Sequence, residues 1–179
     1  MASLAFDLKP CSRITIGTVG PPGQRTFYLQ GLQGRTVVSL IIEKQQAQAL
    51  AIGIDEMLAE IEARFPRERE EPPAKRDMSL LDPISPRFRV GRMGLGYDAE
   101  EDLLVIFVEE LLTEEEAARR QPAVGRFWTS REQAQLLSEH AKKVAAAGRP
   151  ICALCGNPID PDGHFCPPSN GHNPATILQ

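Results

Sequence analysis

A chain of 179 residues, 42% apolar and 25% charged, is long enough to bury one core and too short for two large domains. Its net charge of −4 is uneven, with three basic against nine acidic residues between 91 and 122, and no segment carries the basic excess that sequence-independent nucleic-acid binding needs. The opening MASLAFDLKP lacks the basic and apolar regions of a signal peptide and no run approaches the ~20 apolar residues of a membrane span, so a cytoplasmic protein without membrane attachment is expected.

The first forty residues read as short strands. In RITIGTV, Ile14 and Ile16 alternate with Arg13, Thr15 and Gly17, and in RTFYLQG Phe27 and Leu29 alternate with Thr26, Tyr28 and Gln30, the period of half-buried antiparallel strands. GPPGQ between them is a turn, because its prolines remove ladder donors and its glycines favour reversal. TVVSLIIE is a further strand, set off by Gly31 and Gly34. From Ala47 the period changes: Leu50, Ala51, Ile54, Leu58, Ile61 and Phe65 lay one stripe along a helix that Pro66 ends.

Residues 66–86 hold five prolines and dense mixed charge with little to bury, which predicts an exposed excursion or linker. Strands resume with RFRVGRMGLGYD and with LLVIFVEEL, whose unbroken apolar run from Leu103 to Val108 suits a strand covered on both faces, and the acidic DAEED makes the hairpin loop between them. Thr113 and Glu116 have capping-box spacing for a short helix that Pro122 stops. Ser130 and Gln133 repeat that spacing before a second main helix, whose narrow stripe of Ala134, Leu137, Ala141, Val144 and Ala145 implies close packing. Phe127 and Trp128 are expected to anchor its start in the core, and Cys11 to be a buried, inert thiol.

The last thirty residues concentrate the soft ligands. Cys152, Cys155, His164, Cys166 and His172 are spaced C-x2-C-x8-H-x-C-x5-H, and a C-x-x-C turn followed by Gly156 lets two thiolates reach one ion from a single bend. Three thiolates and one imidazole make the tetrahedral donor set of Zn2+; the fourth ligand is His164, inside the loop the metal would close, with His172 as its alternate beyond Pro167 and Pro168. A redox C-x-x-C would sit at a strand-to-helix junction, and a zinc deaminase would carry H-x-E ahead of its C-x-x-C; neither pattern is present. No phosphate loop and no arranged catalytic constellation is legible.

The N-terminal GTVGPPGQRTFYLQ and VVSLIIEKQQAQAL together with the C-terminal AAGRPICALCGNPIDPDGHFCPPSNGH resemble a bacterial family of conserved proteins of unknown function. The resemblance implies that both ends belong to one unit and lends no activity, substrate or partner.

The expected fold is α+β: an antiparallel sheet packed by two main helices, with a body over 1–149 and a zinc-knuckle tail over 150–179. The expected function is that of a non-enzymatic adaptor or protein-interaction module with a structural zinc site, its partner another protein. The alternatives are a metalloenzyme with catalytic zinc, or a regulatory nucleic-acid binder using a patch of Arg13, Arg25, Arg87, Arg89 and Arg92.

Overall fold

The computed structural model describes residues 3–68, 74–160 and 162–170. The chain divides into two compact units, Met1–Val19 with Thr26–Ala146, and Gly20–Arg25 with Ala147–Gln179.

The first unit carries seven strands: β1 (Ser3–Leu8), β2 (Arg13–Val19), β3 (Thr26–Gln33), β4 (Thr36–Ile42), β5 (Pro86–Asp98), β6 (Leu103–Glu110) and β7 (Ala123–Thr129). They form one sheet in the order β1-β7-β6-β5-β4-β3-β2. The sheet is mostly antiparallel, and the expectation of an all-antiparallel sheet is corrected at two junctions, since β1 pairs β7 and β4 pairs β5 in parallel. A parallel junction needs a long crossover. Helix α1 (Lys44–Arg64) and the residues after it supply the one between β4 and β5.

The core follows the strand period. Ile14 and Ile16, Leu29, Val38 and Leu40, Val90, and Leu104, Ile106 and Val108 are buried together with Ala47, Leu50, Ala51 and Ile54 of α1 and Ala134, Leu137 and Ala141 of α3 (Arg131–Ala146). Strand β6 is not covered on both faces as its apolar run suggested: Phe107 on its other face is 41% exposed. Gly125 of β7 leaves room for a phenyl ring, since a Cβ there would stand 2.1 Å from Phe6 Cζ.

Helix starts match their sequence signals. Thr113 and Glu116 close the capping box of α2 (Glu114–Ala117), and the Ser130 and Gln133 side chains exchange bonds with each other's backbone N–H at 3.2 Å ahead of α3. The small-residue stripe of α3 permits close approach to α1, where buried Ser138 donates to the Ala51 carbonyl at 3.0 Å. Phe127 is fully buried, but Trp128 follows it on a strand and so faces the other side, donating from Nε1 to Asp7 at 2.7 Å under the ammonium of Lys9.

The proline-rich segment is tied to the sheet at several points. Residues 74–85 are irregular and largely exposed, yet side chains of β2 and β3 satisfy their backbone: Thr15 donates to Met78 O at 2.5 Å, Gln30 exchanges bonds with Leu81 N–H and C=O at 2.8 and 3.0 Å, and Arg13 reaches Ser79 O. Leu80 lies over Gly17. This strap is therefore part of the fold, held by polar bonds that its composition does not announce. Residues 69–73 of the expected excursion lie outside the described residues. No helix among the described residues is long and apolar enough to cross a membrane.

Candidate metal centre

The second unit holds the cysteine segment, and its backbone folds by short-range bonds. Ile151 and Pro158 pair antiparallel across the C-x-x-C bend, where Cys152 N–H donates to Asn157 O and Gly156 N–H to Cys152 O, both at 2.9 Å. Gly156 has φ 73°, the left-handed conformation that the bend requires and that side-chain-bearing residues resist. Ile159 N–H donates to Pro150 O at 2.7 Å, and a second reversal brings Gly163 N–H to Asp160 O at 2.9 Å. Arg149 is ion-paired with Asp160 at 2.5 Å. The final described turn, α4 (Pro167–Asn170), begins directly after Cys166.

These reversals bring Cys152, Cys155, His164 and Cys166 together, with one donor atom from each lying within 4.8 Å of all the others. Cys152 Sγ and Cys166 Sγ are 3.8 Å apart, and Cys155 Sγ is 3.2 Å from His164 Nε2. Zinc–sulfur bonds of about 2.3 Å set at tetrahedral angles give sulfur–sulfur edges of about 3.75 Å, while a disulfide requires about 2.05 Å. The sulfurs thus stand at ligand spacing, and all four cysteines of the chain are free thiols. His172, the alternate ligand, lies outside the described residues.

The electrostatics favour one thiolate and resist a second. Backbone N–H groups of Cys155 and Leu154 bring the Cys152 pKa down to about 6, against an opposing burial effect and with lesser help from the Cys155 and Cys166 thiols. At Cys155 the Asn157 amide acts in the same sense, but burial and the sulfurs of Cys152 and Cys166 outweigh it and raise the pKa. Crowded sulfurs that cannot all ionise alone are what a divalent cation resolves, because it releases their protons and holds the thiolates together. The residues therefore suit zinc in number, donor type and spacing.

The cluster contains no carboxylate. Asp160 is engaged by Arg149, and Asp162 is exposed. Cys11 lies in the first unit, 3% exposed, with its Sγ facing Leu8 O at 3.6 Å. Sequence reasoning did not associate the Gly20–Arg25 turn with the cysteine segment, although both belong to the second unit. Its proline and glycine content marked a turn and carried no sign of where that turn packs.

A mixed α/β chain with a Cys3His cluster able to hold a metal ion is the class that fold and site define. The chain belongs to the family described as protein of unknown function (DUF3090), whose model matches residues 6–166 and so spans both the sheet and the four clustered residues. No curated protein and no solved structure matches the chain.

Proposed function

We propose that this is a cytoplasmic, non-enzymatic protein-interaction module whose C-terminal segment is ordered by one structural zinc ion on Cys152, Cys155, His164 and Cys166. The observation that carries the reading is the set of four protein donors within 4.8 Å of one another. Catalytic zinc sites keep one of four positions for water; a Cys3His set fills all four. Zinc bound here supplies structural cross-linking of the two reversals.

The interaction role rests on what the knuckle presents. Ile151, Leu154 and Phe165 are 62%, 68% and 70% exposed, three large apolar side chains within fifteen residues. Against the nucleic-acid alternative stand the partners of the five arginines. Arg13 faces Asp77, Arg89 faces Glu43 and Arg92 faces Glu109, while Arg87 donates to Ala5 O and Arg25 also has an interaction partner.

Native mass spectrometry with metal analysis and X-ray absorption tests the proposal. One zinc per chain in an S3N1 shell supports it. No bound zinc, a water ligand, or metal-dependent turnover abolished by Cys166→Ser refutes it. For the interaction role, Phe165→Asp should keep the zinc and release any partner that co-purifies with the unaltered chain; partner retention would refute that role.

A further inference from the structure

The first unit contains a groove of about 1010 Å³, walled by β2, by the strap from Lys75 to Ile84 and by the later turns of α3. Its size lies at the upper end of ordinary small-molecule sites. Met78, Leu80 and Leu136 give it apolar lining.

Lys75 and Arg76 from the strap and Lys143 from α3 line the groove, and among the described residues none of the three has a carboxylate partner. Three carboxylates line it too. Asp77 is occupied, accepting from Ser79 N–H at 2.9 Å and Ser79 O–H at 3.0 Å and facing Arg13 at 3.8 Å. Glu139 accepts from Gln135 at 3.1 Å. That amide carries no charge, and Asp82 has no partner among the described residues, so three cations without a carboxylate partner among the described residues stand against two carboxylates without a cation partner. The strap that carries two of the cations is tied to β2 and β3 at Met78 and Leu81, a few residues after them.

We propose that this groove is a binding site for a small organic phosphate, with the phosphate between the strap cations and Lys143 and the organic body on the apolar lining. A single carboxylate would satisfy one cation. A phosphate monoester brings close to two negative charges and three acceptor oxygens, which suits an Arg fork and two Lys point charges.

Isothermal titration with adenosine 5′-monophosphate and phenyl phosphate, against adenosine and benzoate as controls, tests the site in the full chain at low salt. The proposal expects saturable one-to-one binding of at least one phosphate probe, tighter than both controls, weakened about tenfold or more by Arg76→Glu and by Lys143→Glu. Arg119→Glu, off the groove, should leave it unchanged. Arg76 and Lys143 are exposed, so both variants should melt as the parent does, a point checked by circular dichroism. Failure of both phosphates to bind, or binding that the two groove variants leave intact, overturns the proposal. Every lining residue belongs to the first unit, so the outcome is separable from that of the zinc test.

Discussion

Arg131 Nε donates to Asp102 Oδ1 at 2.6 Å from a side chain only 9% exposed, and the same guanidinium reaches Phe65 O at 2.9 Å and the Tyr97 hydroxyl at 3.1 Å. One cation thus joins the end of α1, the β5–β6 loop and the start of α3. Removing it takes from the Phe65 carbonyl its side-chain donor and from Asp102 its closest cation, leaving that carboxylate with the Tyr97 hydroxyl and the more distant Arg67. Arg131→Ala is therefore expected to cost about 2–4 kcal/mol in urea unfolding, below the range for a fully buried pair because Asp102 is partly hydrated. Arg92→Ala, on a side chain 84% exposed, should stay within about 0.5 kcal/mol. Equal stabilities for the two variants would contradict this role for Arg131.

The same contact predicts an acid dependence. Burial of Asp102 would raise its pKa, but bonds from Tyr97 and Arg131 win and hold it below the usual value of 3.8. A carboxyl depressed in the folded state contributes stability above its unfolded pKa and loses that contribution as pH falls through the folded value. Asp102→Asn, which tolerates the φ of 51° at this position, should flatten the loss of stability below about pH 4 seen in the parent. Parallel stability curves for the two proteins down to acid unfolding would exclude the linkage.

Much of this was legible in the sequence because it is local. The stripes and caps of α1 and α3, the strands β2 to β6, and the ligand spacing from Cys152 to Cys166 all depend on residues a few positions apart. What escaped reading depends on distant partners. Strand β1 is not singled out among the strands of the first forty residues, though Phe6 and Leu8 face the core, because its ladder partner is β7, more than a hundred residues on. Strand β7 is short, and its inward positions include Gly125 and Thr129, which dilute the apolar alternation. The strap gave no apolar signal because Gln30 and Thr15 hold it by hydrogen bonds, and the burial of Arg131 is invisible until Asp102 and Phe65 stand beside it.

Thiol chemistry should separate the cysteines. Burial pushes the Cys11 pKa up to about 12, and thiolate is the reactive form. With a chelator present, a disulfide reagent is expected to titrate three thiols in the native protein and the fourth only after denaturation. Four fast thiols without unfolding would place Cys11 elsewhere than the core.

Gly125→Ala tests the close approach of β7 and β1. The new methyl would meet Phe6 at 2.1 Å, a contact that only a shift of ring or strand relieves. Thermal or denaturant unfolding should register a loss of about 1–3 kcal/mol. An unchanged midpoint would mean that Phe6 has another place to go.

The central claim is that metal, and not burial, orders the cysteine segment. Of its large apolar side chains, Ile151, Leu154 and Phe165 are exposed, so little apolar burial offsets an ordering cost on the order of 1–2 kcal/mol per residue. Structural zinc contributes about 10–16 kcal/mol in small finger peptides, enough for a short loop. Hydrogen exchange on the chelated protein is the direct measurement, with the amides of Cys152, Gly156 and Ile159 as reporters because each donates to a carbonyl of the knuckle. The account predicts that these amides lose protection while those of the first unit, through Ala146, keep theirs. Protection across 152–166 that is unchanged by chelation would contradict it.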